Sequence, residues 1–367
     1  MLTRSLALVL LGASLGASCA SVPPREVTAP VGLATPSATT SAPVVEVPPE
    51  VTNLAAPAVS ASARPVLGVD EALAAVTEER VRAHVAWLAS DDLEGRNVGT
   101  PGLARAATYL EEHLGNVLPA GDVIPPGKTR GYEQRFDVER MPTSNVLGMI
   151  EGTDLGDEVI VLGAHFDHLG SLRQPHPGRT GSGTGDDSIW NGADDNASGT
   201  AAVLAAAEAL GAGNVRCRRT LLFAFFSGEE WGLLGSRWYT AHPLVPMEHH
   251  RLMLNLDMVG RNPALSLAVQ GHGASLGTLR AQVATAARQS ALKVNVIDLK
   301  TVRQDSDHAP FFSSGVPFLF FYSGDHHDYH QVTDHTDRIA FDRLAHVART
   351  AARVALAACN DPPARRP

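Results

Sequence analysis

The chain has 367 residues, 44% of them hydrophobic and 19% charged, enough for one large core or two small ones. Its 30 Lys and Arg against 39 Asp and Glu give a net charge of −9, and no cationic run is present to displace phosphate counterions, which excludes a nucleic-acid binder. Three cysteines without a C-x-x-C pair exclude a disulfide scaffold and a zinc ribbon, and beyond the N-terminus no apolar run approaches the roughly 18 residues needed to span a bilayer.

Residues 1–18 read as an export signal, with Arg4 as the positive start, an apolar stretch over 6–11 and small residues after it. Cys19, in Leu15-Gly16-Ala17-Ser18-Cys19, stands where a bacterial lipoprotein signal carries its lipidated cysteine; ordinary cleavage near Ala20 is the alternative. The expected location is the cell envelope, periplasmic or surface side, with the membrane met only through that anchor. Residues 19–66 read as a tether, since 22–66 hold nine prolines and no aromatic side chain with which to build a core. The folded domain is expected over 67–360, with 361–367 as a tail. With Cys19 taken up, Cys217 and Cys359 remain as an even pair in an oxidising compartment; the sequence leaves their pairing open.

Helical spacing of Ala, Leu, Val and Trp87 predicts a helix over 70–88 with Asp70 as its N-cap, and a second over 102–114. The period then changes. Continuous apolar, β-branched runs at 158–163, 220–226, 252–256 and 316–322 predict strands buried on both faces. Helical stretches at 198–210, 229–239, 275–290 and 341–358 alternate with them. The alternation predicts one α/β domain: a mainly parallel, mixed central sheet with helices on both faces.

In open α/β sheets ligands gather beyond the carboxyl ends of the strands. His165 and Asp167 follow the first buried run, Glu229 and Glu230 the second, Asp257 the third, and a loop with His326, His327, His330 and His335 the fourth. Asp194 and Asp195 precede the helix at 198. One such acid reads equally well as a helix cap. Acids and imidazoles at every exit do not, and converging carboxylates repel one another unless cations join them. Mixed His and carboxylate donors favour zinc over Mg or Ca. Three ligand carboxylates, Asp195, Glu230 and Asp257, balance two divalent ions and one hydroxide, which suits two ions better than one and leaves Glu229 to take a proton from water.

The segments His165-Phe166-Asp167, Gly192-Ala193-Asp194-Asp195-Asn196-Ala197-Ser198-Gly199, Ser227-Gly228-Glu229-Glu230, Asn255-Leu256-Asp257-Met258 and Asp328-Tyr329-His330 resemble the zinc-dependent M28 peptidases, of the aminopeptidase Y and leucyl aminopeptidase type. Leu93-Glu94-Gly95-Arg96 and Ser306-Asp307-His308 support the resemblance, which runs over about 85–345 in family order. It implies a zinc-exopeptidase, phosphorylase/hydrolase-like fold and two Zn2+ per chain. His165 and Asp257 would bind one ion, Glu230 and His330 the other, and Asp195 both. Asp167 would hydrogen-bond His165. Glu229 would be general base and then acid, with a zinc-bridging hydroxide as nucleophile, and Tyr329 would donate to the oxyanion. The expected substrates are peptides with a free N-terminus.

After His330 the sequence continues Gln331-Val332-Thr333-Asp334-His335, away from the family pattern, so His326, His327 and His335 stay as rival imidazoles. Carboxypeptidases, dipeptidases and glutaminyl cyclases share the scaffold, and a non-catalytic receptor or scaffold is the alternative of another class. Gly273-Ala274-Ser275-Leu276-Gly277 matches a nucleophile elbow only by low-complexity coincidence, and the glycine run at 181–185 lacks the lysine of a phosphate loop. Trp190, Trp231 and Phe311 read as pocket lining or as packing.

Overall fold

The apolar runs form the middle of one eight-stranded sheet in a computed structural model that describes residues 66–118, 133–179, 183–273 and 275–362. The export signal, the Cys19 anchor and nearly all of the expected tether fall outside the described residues. In chain order come α1 (Val69–Leu73), α2 (Glu78–Leu88), α3 (Pro101–Val117), β1 (Glu133–Val138), β2 (Met141–Ile150) and β3 (Leu155–His165). A small ribbon of β4 (Gly170–Ser171) and β5 (Ile189–Trp190) follows, then α4 (Gly199–Ala212), β6 (Arg219–Phe226), α5 (Leu234–Ala241) and β7 (His250–Leu256). The chain continues with β8 (Leu267–Gly271), α6 (Ser275–Gln289), β9 (Val294–Asp298), α7 (His308–Ser313), β10 (Phe318–Tyr322) and α8 (Phe341–Asn360). None of the described helices is long and apolar enough to cross a membrane.

The strand order is β1-β2-β6-β3-β7-β10-β8-β9. Its centre, β6-β3-β7-β10, is parallel, while β2 and β8 run antiparallel to their inner neighbours. Pleating sends alternate side chains to opposite faces. Ile160, Leu162 and Ala164 of β3 meet the layer that contains α1 to α4, α6 and α8, whereas Val159 and Val161 meet the layer of α5 and α7 around Tyr239 and Phe311. Both faces are therefore covered, as the unbroken apolar runs require.

Every residue from Gly199 to Leu210 of α4 is buried, and its alanines let it sit close between the sheet and the outer helices. Gly199 is needed for that approach: a Cβ there would lie 2.3 Å from the Leu256 carbonyl oxygen at the end of β7. From β3 the chain crosses through α4 to β6 on one side, and then to β7 on the other. That reversal opens a crevice at the carboxyl end of β3.

Some local expectations change. The predicted helix over 70–88 is two helices, because Thr77 starts α2 by accepting the Arg80 N–H at 3.2 Å. Gly68 caps α1, and Asp70 in its first turn instead pairs with Arg353 at 2.6 Å. The helix expected over 229–239 begins only at Leu234, after a turn with Gly228, Gly232 and Leu233 at positive φ. Strands β8 and β9 are half-exposed and five residues long, too short and too polar for the buried-run signal. Cys217, just before β6, and Cys359, near the end of α8, form a disulfide.

Candidate active site

Four strand exits and one turn converge on the crevice. β3 ends on His165, β6 leads into Glu229 and Glu230, β7 into Asp257, and the loop after β10 carries His330. Asp195 lies in a buried turn over 193–198 that opens α4.

Asp195 is shared. Its Oδ1 lies 3.3 Å from His165 Nε2 and its Oδ2 lies 3.2 Å from His330 Nε2. Asp257 Oδ1 is 3.3 Å from His165 Nε2, and Glu230 Oε2 is 3.2 Å from His330 Nε2. Zinc held tetrahedrally at about 2.0–2.1 Å requires ligand atoms about 3.3 Å apart. All four separations match that edge. The side chains therefore fit two divalent ions, His165 and Asp257 for one, His330 and Glu230 for the other, with one oxygen of Asp195 for each. Glu229 stands beside the first set, its carboxylate within 4.8 Å of the donor atoms of His165 and Asp257.

The electrostatics agree with the geometry. Burial disfavours a charged His330, yet hydrogen bonds to Asp195 and Glu230 push it up to about 10. Burial opposes the His165 proton too, and Glu229, Asp257 and Asp195 override it, leaving the imidazole well above its ordinary value. A field that holds protons on the buried His165 and the part-buried His330 also holds metal cations. Burial, with the charges of Glu230 and Asp257, pushes Glu229 well above the carboxylate range against the opposing pull of His165. Burial would raise Asp195 as well, but hydrogen bonds from His165 and His330 hold it well below that range.

Several residues fix the donors. Asn196 donates to the Leu256 carbonyl at 2.9 Å and accepts the Gly199 N–H at 2.9 Å, tying the Asp195 turn to the exit of β7. Ser306 donates to Asp257 Oδ2 at 2.7 Å. Trp190 donates its indole N–H to the His330 carbonyl at 3.0 Å, a supporting rather than a pocket-lining place, while Phe311 is core. Trp231 is half-buried and donates to Asn97 at 3.0 Å. Asp334 accepts the backbone N–H groups of Asp194 and Asp195 at 2.9 and 3.1 Å. Arg96, 1% exposed, donates to the carbonyls of Leu88, Phe166, Asn191 and Gly192, joining the exit of β3 to the approach to Asp195.

Asp167 sits differently from the expectation. Its carboxylate is 3.8 Å from His165 Nδ1, which faces the Asp167 backbone oxygen at 3.3 Å instead. The carboxylate accepts the N–H groups of Glu229 and Glu230 at 3.1 and 3.3 Å, because these amides point out of the turn ahead of α5. Burial pushes Asp167 up to about 7 in spite of the His165 charge.

The rival imidazoles are placed elsewhere. His326 meets Asp194 at 3.1 Å, His335 meets Asp187 at 3.0 Å, and His327 is exposed. Asp194 accepts the Gly260 N–H at 2.6 Å, which leaves Asp195 as the acid of the pair that faces both imidazoles. His168 escaped sequence reading although it directly follows Asp167: its Nδ1 is 2.8 Å from Glu230 Oε1. A separate trio, His84, His113 and Glu208, joins α2, α3 and α4. Arg80 already neutralises Glu208 at 2.6 Å and Tyr109 bonds His84 at 2.8 Å, so this trio is a helix-packing network.

The model of peptidase family M28 matches residues 145–355, from β2 to within α8, and includes His165, Asp195, Glu229, Glu230, Asp257 and His330. The chain belongs to peptidase family M28. A probable leucine aminopeptidase of Trichophyton verrucosum is 28% identical over 232 residues, 60% of this chain and 55% of that protein. Leucine aminopeptidase 1 of Arthroderma otae is 25% identical over 260 residues, 67% of this chain and 65% of that protein. The chain thus spans little more than half to just under two thirds of the length of these relatives. Among solved structures, the LapA aminopeptidase of Legionella pneumophila superposes with a TM-score of 0.58 at 19% identity, covering 81% of this chain and 77% of that one. A Zn-dependent exopeptidase of Parabacteroides distasonis gives 0.55 at 20% identity, covering 80% and 99%. Both share the fold described above.

Proposed function

We propose that this M28 member is an exported di-zinc aminopeptidase that removes N-terminal residues from peptides. The observation that carries the reading is Asp195, whose two oxygens each complete a His-and-carboxylate set with zinc-like spacing. Zinc ions held by those sets would supply Lewis acidity toward water and the scissile carbonyl. Glu229, beside the first set and outside both, takes a proton from the attacking water and returns it to the leaving amine. Its raised affinity for protons suits that exchange. Tyr329 stacks on His330 at 4.0 Å, and burial with the nearby carboxylates raises its hydroxyl well above the usual range. The phenol therefore stays protonated and donates to the oxyanion. A cavity of about 590 Å³ adjoins the donors, and Met258, Leu299, Phe320 and Tyr322 along it suit the first side chain of a peptide.

The test is hydrolysis of free and N-blocked aminoacyl 4-nitroanilides, with and without a chelator, alongside zinc content. Free substrates are cleaved, blocked ones are not, chelation abolishes turnover, and about two zinc ions bind per chain. Chelator resistance, or equal cleavage of blocked substrates, overturns the reading. One zinc per chain with cyclisation of N-terminal Gln would move the protein to the cyclases of the same scaffold. The export signal and Cys19 anchor belong to the same proposal, supported by the sequence over 1–19. Labelling with a radioactive fatty acid, lost in Cys19→Ala, tests the anchor.

A further inference from the structure

His168 is fully buried and lies within reach of the second donor set without belonging to its 3.2 Å edges. Its Nδ1 is 2.8 Å from Glu230 Oε1 but 3.8 Å from Asp195 Oδ2. Glu230 therefore divides its oxygens, Oε1 toward His168 and Oε2 toward His330. The ring is clamped. A Cβ on Gly192 would come within 2.5 Å of its Cγ and Cδ2, so the imidazole packs directly against Gly192, and the His168 backbone N–H donates to the Arg96 carbonyl at 3.2 Å.

The other nitrogen decides the tautomer. Nε2 is buried and meets no polar partner among the described residues. A proton there would be an unsatisfied buried donor, whereas a proton on Nδ1 has Glu230 Oε1 to bond. A proton on Nδ1 satisfies the site, and a protonated Nδ1 has no lone pair for a metal.

We propose that His168 is a positioning residue for Glu230: its Nδ1–H holds Oε1 back, so that Glu230 ligates through Oε2 alone. A carboxylate free to swing would chelate its ion with both oxygens and fill the coordination position that water or substrate needs. The proposal rests on the di-zinc reading above and assigns His168 a role that its neighbours His165 and His330 do not have.

The experiment uses the full chain, wild type against His168→Asn and His168→Gln. The Asn amide reproduces an Nδ1–H donor, whereas the longer Gln side chain carries its donor past it. Zinc affinity is read by competition with a chromogenic chelator, coordination by the visible spectrum of the Co2+-loaded protein, turnover as kcat and KM separately, and folding by thermal melting. In H168Q the weaker of two zinc affinities changes about 10- to 100-fold, the Co2+ bands lose intensity as a ligand is added, and kcat falls with KM nearly unchanged. H168N restores all three. Wild-type zinc affinity and Co2+ spectrum in a folded H168Q overturn the proposal, as does a folded H168N that fails as badly as H168Q, which would make the ring's bulk the cause. If wild-type protein binds no zinc, the di-zinc reading falls and this proposal with it. If wild type binds two ions and a folded H168Q behaves as wild type, the positioning role alone falls.

Discussion

Asp167→Asn separates two ways in which one carboxylate can serve this site. Its two oxygens accept the consecutive N–H groups of Glu229 and Glu230 at 3.1 and 3.3 Å, so they hold the turn that presents the proposed base and a proposed zinc ligand. A hydrogen bond to a charged acceptor contributes about 1.5–3 kcal/mol, and Asn replaces one acceptor with an NH2 group that faces another N–H. At about 1.4 kcal/mol per decade, the loss is roughly 10- to 100-fold in kcat/KM. Zinc should be lost first from the Glu230 and His330 set, because that is where the turn delivers its ligand. An orienting role toward His165 predicts the opposite order, with the His165 and Asp257 set weakening first. Kinetics on leucine 4-nitroanilide, zinc content at buffered free zinc and a thermal melt read all three quantities. Undiminished turnover and zinc content would refute the reasoning. The turn's own backbone bonds, such as Gly232 N–H to Glu229 O at 2.8 Å, would then suffice to hold it.

The other predictions address base, framework and packing. Glu229→Gln should keep both metals while kcat falls by about 100-fold or more, and a near-normal rate would remove it as the base. Replacing Cys217 and Cys359 together by Ser should lower stability by about 2–5 kcal/mol in denaturant melts while activity at 25 °C persists, since the bridge lies at the end of β6 remote from Glu229. Burial would raise Glu208, but hydrogen bonds from His113, His84 and Arg80 hold it well below the carboxylate range. A depressed folded-state value stabilises above the unfolded value near 4.3 and stops doing so as pH falls toward the folded one. Glu208→Gln should therefore cost about 1.5–3 kcal/mol at pH 7, with the gap to wild type closing in melts below about pH 4.

The centre of the fold was legible because strands buried on both faces leave unbroken apolar runs, and the chemistry hangs on the residue just after each run. β8 and β9 left no such trace, since only one face of each is covered. The start of α5 is hidden in the sequence because the apolar spacing of 229–239 continues through a turn that Gly228, Gly232 and Leu233 break by their backbone conformation. Supporting residues were harder still. Asp334 is one loop acid among several until the fold brings the amides of Asp194 and Asp195 against it. Arg96 looks like a surface cation in sequence, and its four carbonyl partners lie 8 to 96 residues away. His168 differs: it directly follows Asp167, and a second imidazole three residues beyond His165 at a strand exit is a signal that the sequence itself carries.

Helix α4 gives the domain a polarity. Asp195 sits in the turn that begins it, while Gly213 at its far end receives the Leu67 N–H at 2.9 Å. Fourteen helical residues separate the two ends, about 20 Å at 1.5 Å per residue. The Cys217–Cys359 bridge lies a few residues past the same far end. Leu67 is thus held at the back of the domain, on the side of the disulfide and away from the cleft. A tag joined directly ahead of Val66 should leave the cleft unobstructed, whereas fusions into the loop over 323–335 would stand at its mouth.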